Sequence, residues 1–232
     1  MKKIGFIGMY DKTDLILNIA KILTVMKKKV IVVDSTITQK AKYVVPVINP
    51  TVTYITDFED IDVAVGFKNE HEIKEYLGLP EKEGLPYDIM LLDVDSAEAI
   101  ENFGLTENTK NYFVTAFDLY TLKRGLEILS NLKSPMNLTK ILFAREVLKE
   151  EDDYLNFLSL GYKVVWNEYR IYFPTENGDL TVLAENQRVA KIKFKRLSTQ
   201  YKDSLVYIAG EILSDTSENQ IRRAVKIIER GV

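Results

Sequence analysis

Two stretches, VIVVD at Val30–Asp34 and IMLLD within Ile89–Asp93, constrain this chain more than any others. Each is an apolar run without polar alternation, closed by an aspartate. A strand with one wet face alternates apolar and polar residues. A run apolar on both faces belongs to a parallel sheet covered by helices on either side. Lys3–Gly8, Tyr112–Ala116 and Lys140–Ala144 are expected to be strands of the same sheet. Val52–Thr56 and Asp62–Phe67 are weaker strand candidates, and Lys163–Trp166 and Tyr169–Phe173 close the series. Between them, apolar residues recur at three and four. In Thr13–Lys27 these are Leu15, Ile16, Ile19, Ile22, Leu23 and Met26. Glu70–Leu77, Leu119–Leu132, Glu151–Leu160, Leu197–Leu213 and Ser217–Arg230 also read as helices, and Gly161 stops the third of these. Strand–helix alternation of this kind specifies an α/β fold, a mainly parallel sheet between two helical layers.

The chain of 232 residues suits one domain over 1–232, large enough to bury a core without staples. Without cysteine there is no disulfide, thiolate metal site or cysteine nucleophile, and a cytoplasmic address fits. The lone histidine, His71, reads as part of a polar helix face. A formal net charge of -3 argues against a general nucleic-acid coat but allows a local basic patch. No apolar run approaches the ~20 residues of a membrane span.

In parallel sheets ligands sit at the carboxyl ends of strands. The segments to inspect are therefore Gly8–Thr13, Asp34–Thr36, Asp93–Ser96, Ala116–Asp118 and Ala144–Arg145. Aspartates there can hold magnesium or position water, or they can cap the next helix. The first segment, in GFIGMYDKTD, lies where a phosphate-binding loop belongs, between the first strand and first helix. Such a loop wraps phosphate with bare N–H groups, reaches it with a lysine and holds the metal with a hydroxyl. Lys12 and Thr13 stand in the lysine and hydroxyl positions, with Gly8 behind them. Asp11 stands where glycine should precede the lysine, so a carboxylate faces the incoming charge. In the simpler alternative, Asp11 or Thr13 caps the helix and Lys12 is solvated.

With these pieces in order, the chain resembles the ParA/MinD group of deviant Walker A ATPases. Their loop, K-G-G-x-G-K-[ST]-[ST], falls on Ile7, Gly8, Met9, Tyr10, Asp11, Lys12, Thr13 and Asp14. NIAKILTVMKKKVIVVDS resembles the family helix and strand that follow, YDIMLLDVDS its second acidic strand, and NYFVTAFDLYTLKRGLEIL the next strand and helix. The likeness covers roughly the first 150 residues. It implies a P-loop NTPase-like architecture, with Gly8, Asp11, Lys12 and Thr13 toward a nucleotide and Thr13, Asp34 and Asp93 toward magnesium. If the chain were active in ATP hydrolysis, Asp34 and Asp93 would be its catalytic acids.

The departures point the other way. Ile7 replaces the signature lysine that crosses to a partner's phosphates in a nucleotide-sandwich dimer, and Met9 and Asp11 replace glycines. Ala144 stands where the family often has an adenine-contacting asparagine. This pattern is similar in kind to the degenerate TadZ/CpaE-type relatives. It implies a non-catalytic positioning or scaffold protein, a homodimer without a required cofactor, acting in a bacterial pilus, secretion, conjugation or partition assembly. The alternatives are a Mg-ATP-dependent switch using Lys12 and Thr13, and a DNA-binding partition module.

Two basic segments bear on partners. RVAKIKFKRL alternates Lys191, Lys193 and Lys195 with Ile192 and Phe194, as a strand with one basic face would. That face suits DNA or anionic lipid, or simply a solvated sheet edge. The tail over 215–232 is an amphipathic helix with Ile221, Ala224, Val225, Ile228 and Val232 on one side and Arg222, Arg223, Lys226 and Arg230 around it. It lacks the large apolar groups of a membrane-binding helix, so packing on the body or a partner is expected, with peripheral membrane contact the alternative. Ser217 and Gln220 form an expected capping box. In EYRIYFP, Tyr169, Ile171 and Phe173 share one side of a strand and are expected in a core or interface.

Overall fold

Eight strands form one sheet in the computed structural model, which describes residues 1–47, 51–144, 149–174 and 177–231. The strands are β1 (Lys2–Ile7), β2 (Val30–Ser35), β3 (Tyr54–Phe58), β4 (Ile61–Val65), β5 (Ile89–Val94), β6 (Lys110–Ala116), β7 (Met136–Ala144) and β8 (Val164–Pro174). Their order is β3-β4-β2-β5-β1-β6-β7-β8, parallel throughout except for the antiparallel β3–β4 pair at one edge. The two aspartate-closed apolar runs, β2 and β5, lie side by side, and β5 is buried at every position.

Helices α1 (Thr13–Val25), α2 (Ala41–Val44), α7 (Asn177–Val189), α8 (Thr199–Ile212) and α9 (Glu218–Arg230) contribute to the core on one face. The other face is closed by α3 (Glu70–Tyr76), α4 (Ala97–Asn102), α5 (Leu119–Ser130) and α6 (Lys149–Leu158). This is the expected three-layer α/β architecture. Helix α1 buries Leu15, Ile16, Ile19, Ile22 and Leu23, five of the six residues its periodicity singled out, beneath α8 and α9, while Met26 follows its last turn and is partly buried. His71 lies on the exposed side of α3 beside Glu75, as expected of a polar face.

Several local expectations need correction. The two last strand candidates are one strand, β8, continuous through an irregularity: Leu138 pairs with Trp166, but Lys140 pairs with Arg170. Asn167, Glu168 and Tyr169 lie in that irregularity, so Tyr169 is exposed while Ile171 and Phe173 enter the core. RVAKIKFKRL is not a strand. Residues 191–194 run without ladder partners between α7 and α8, yet their alternation survives because Ile192 and Phe194 are buried. Lys191 pairs with Glu59, while Lys193 and Lys195 face outward. Helices α2, α4 and α7 were not anticipated; the first two are only four and six residues long. The β3–β4 turn places Glu59 and Asp60 at φ 58° and 67°. Such two-residue turns ordinarily signal themselves by Asn-Gly, which is absent here.

The C-terminal helix lies on the body. Ile221, Ala224, Val225 and Ile228 are buried against α1 and α8, and Gly231 ends it at φ 71°. At its start Gln220 Oε1 accepts from the Ser217 N–H (3.1 Å) and hydroxyl (3.0 Å), while the Gln220 N–H donates to the Ser217 carbonyl. Val232, the last member of the expected stripe, lies outside the described residues. No helix among the described residues is long and apolar enough to cross a membrane.

Candidate functional site

The site lies at the carboxyl end of the sheet's central strands. β1 runs between β5 and β6, so the loop after it opens over both neighbours. Gly8 makes the turn at φ 138°, with its N–H on the Val94 carbonyl at 3.2 Å. A Cβ there would come 2.2 Å from the Val114 carbonyl oxygen, so no other residue fits without moving β6. Where a phosphate loop is bare, this one is anchored by side chains. Tyr10 packs against the apolar cluster on one sheet face and Met9 against that on the other. The Tyr10 ring stacks on Phe143 at 4.4 Å, Phe143 on Phe173 at 5.0 Å, and Phe173 meets Tyr201 edge-on.

Lys12 immediately precedes α1 and is not solvated; it is 3% exposed. Its ammonium donates to the Gly8 carbonyl at 2.8 Å and lies 2.7 Å from Asp93 Oδ1. That second approach is an ion pair by distance, off the direction of a hydrogen bond. Burial drives the Asp93 carboxyl up to about 6 against the pull of Lys12, with nearby Asp34 adding to the rise. Thr13 is buried at the first position of α1, and its N–H donates to Asp11 Oδ1 at 3.3 Å. The other Asp11 oxygen pairs with Lys40. Asp11 thus supplies an anion at the helix N-terminus, the position that favours phosphate in other proteins.

Asp34 is engaged within the chain. Its Oδ1 accepts from the Thr36 N–H (3.0 Å) and hydroxyl (2.6 Å), and its Oδ2 from the Ala41 N–H (2.9 Å). Asp95 accepts the Ile37 N–H on both oxygens at 3.1 and 3.0 Å. Asp11, Asp34 and Asp95 together hold the 35–41 segment across the mouth. The cleft beneath is about 210 Å3, lined by Gly8–Thr13, Thr36, Thr38, Lys40, Asp93 and Asp95.

The sequence-singled residues of the loop and of the β2 and β5 ends therefore meet here. The β6 end does not contribute: Asp118 caps α5 through the Thr121 N–H at 2.9 Å, and that bond lowers its pKa. Ser96 likewise caps α4. Ala144 ends β7, while Arg145 lies outside the described residues. Sequence reasoning missed Lys40, since nothing in its linear spacing ties it to Asp11. It also missed Gln187 of α7, whose amide donates to Asp14 at 2.7 Å. Burial holds the Asp14 carboxyl at about 6 despite Lys40 and that bond.

A mainly parallel sheet whose central strand feeds a loop and a helix, with acidic residues at the ends of β2 and β5 beside it, is a P-loop NTPase-like arrangement. Within it, the fold is that of the ParA/MinD ATPases. A ParA family ATPase from Chlorobium tepidum TLS is 13% identical, with 90% of this chain and 97% of that one covered at a TM-score of 0.56. A chain of the MinC:MinD cell division protein complex of Aquifex aeolicus is 12% identical, with 94% and 97% covered at 0.59. A putative plasmid partition protein from Borrelia burgdorferi B31 bound to AMPPNP is 12% identical, with 93% and 100% covered at 0.51. At such identities the likeness is one of fold. No protein-family model matches the sequence, and no curated protein matches it significantly.

Proposed function

We propose that this chain is a ParA/MinD-like positioning or scaffold protein whose nucleotide site is weakened or lost, and that it acts through protein contacts in a larger assembly. The observation that carries this reading is Asp11. Its carboxylate takes the Thr13 N–H and pairs with Lys40, so an internal anion stands where the helix N-terminus would otherwise receive phosphate. A nucleotide must displace that anion or lie against it, in a loop without the neighbouring bare glycines. Mg-ATP therefore fits poorly, and no hydrolytic step is assigned to Asp34 or Asp93. Were nucleotide to enter, Lys12 would meet phosphate, and Thr13 with Asp93 or Asp34 the magnesium.

The MinC:MinD complex is a precedent for this fold with a protein partner, and the Borrelia protein for one with a nucleotide analogue. The second precedent supports the alternative of a nucleotide-dependent switch, to which the retained Lys12–Asp93 pair also lends support. A thermal shift with Mg-ATP and Mg-ADP separates the two. Tight binding would stabilise the chain by about 2.7 kcal/mol at a hundredfold excess over Kd. The expected result is no shift for the wild type and a measurable one for Asp11→Gly. A wild-type shift that Lys12→Ala abolishes would establish the switch instead. The outward Lys193 and Lys195 keep the DNA-binding reading testable: binding by that route must weaken steeply with salt.

A further inference from the structure

The outer edge of β8 ends the sheet, and none of the described strands pairs with it. At 11 residues it is the longest strand of the sheet, and it exposes Val165 and Tyr169. On one face Tyr169 is 73% exposed, and α8, which packs against β8, exposes Tyr207. On the other, α6 turns Tyr154 and Phe157 outward, Phe157 being 67% exposed. Beneath them α6 is fixed to the sheet by the buried Lys140–Asp152 pair, to which Arg170 of β8 adds a second cation, so this edge is a held surface.

Around Tyr169 the sequence is Glu168-Tyr169-Arg170, an acid and a base one residue to either side. When two copies of a strand meet antiparallel about a two-fold axis at one residue, its two neighbours face each other. Each Glu168 would face Arg170 of the other copy, and Tyr169 would meet itself. The guanidinium of Arg170 has donors to spare beyond its bond to Asp152.

We propose that this edge is a self-association surface occupied by a second copy of the same chain, joined about a two-fold axis at Tyr169. The irregularity at Asn167–Tyr169 shapes the contact. Bulges blunt an edge against indiscriminate strand pairing. Here the self-complementary charges lie in and beside that irregularity, so side-chain pairs on both flanks hold the contact and the ladder is short. A twofold arrangement uses one patch on both copies and closes at the dimer. It needs neither nucleotide nor the cleft after β1.

Because the chain has no cysteine, one introduced thiol reports the geometry directly. Tyr169→Cys under mild oxidation should give a disulfide-linked dimer at concentrations where Tyr43→Cys, similarly exposed but remote, stays a monomer. Sedimentation of the 232-residue chain should show a nucleotide-independent dimer that survives Lys12→Ala. Glu168→Arg, which sets arginine against arginine twice per dimer, should raise its dissociation constant about tenfold or more. Unchanged circular dichroism in that variant separates dissociation from misfolding. A wild-type monomer throughout the accessible range overturns the proposal, as does a dimer indifferent to Glu168→Arg that the Tyr169→Cys variant fails to cross-link. A monomer whose β8 edge instead accepts a strand of a different protein overturns it equally.

Discussion

Gly8 and Asp14 sit six residues apart, and each turns a general rule into a measurable one. Gly8 combines a left-handed backbone with a Cβ path blocked at 2.2 Å by the Val114 carbonyl. Gly8→Ala should therefore cost about 3 kcal/mol or more in urea unfolding, from backbone strain and displacement of β6 together. Asp14 bears on pH. Its carboxyl stands at about 6 in the folded chain against an ordinary 3.8, burial outweighing Lys40 and Gln187, with Asp11 adding to the rise. The folded state therefore takes up a proton that the unfolded state releases. Stability from this group is greatest below about pH 4 and declines as pH rises to about 6, then stays flat. Asp14→Asn should flatten that decline and raise stability at pH 7 by on the order of 1–2 kcal/mol. Urea midpoints at pH 4.5, 6 and 7.5 check it; an unchanged profile would show that Asp14 is solvated. Asp93 shares the window, because its carboxyl is also raised to about 6, so part of the slope should survive the substitution.

Between elements, a buried coupling outside the cleft joins α6 to β7 and β8. Lys140 and Asp152 are both almost fully buried and 2.8 Å apart, with Asn156 also accepting from the ammonium and the Trp166 ring 5.0 Å away. Removing one partner strands the other charge. Asp152→Ala should cost about 3–5 kcal/mol, whereas Lys140→Met with Asp152→Leu should stay within about 2 kcal/mol of the wild type. Equilibrium urea unfolding of both variants decides whether the pair stabilises α6 or only specifies where it docks. This pairing also marks where legibility ends. The strands of the sheet centre were legible because burial on both faces leaves continuous apolar runs, as in β2 and β5. The loop's place was legible because a glycine, a lysine and a threonine follow β1 at fixed spacing. The partners of those residues were not. Lys12 meets Asp93 and Asp11 meets Lys40 across long stretches of chain, separations at which a linear pattern carries no geometry. Short α2 and α4 are too brief to show a period, and the lysine alternation at 191–195 mimicked a strand because a chain pinned by Ile192 and Phe194 alternates without a ladder.

For the molecule as a whole, the C-terminal helix decides between two kinds of behaviour. Its apolar side is already used, with Ile221, Ala224, Val225 and Ile228 against α1 and α8. A chain cut before Ser217 should therefore lose solubility and melt well below the wild type, and the intact chain should not sediment with anionic vesicles. An intact fold after truncation, with vesicle binding beforehand, would mark the helix as a membrane tail.

The same packing sets a clock on synthesis. β1 is made well before its neighbours, β5 from Ile89 and β6 from Lys110. Helix α1 follows β1 directly, but α8 and α9, which cover it, leave the ribosome after every strand of the sheet. For much of translation the opening segment has no partner to pair with and its apolar helix has no roof. Until α9 emerges, the apolar face of α1 that it covers is open to contact with other chains.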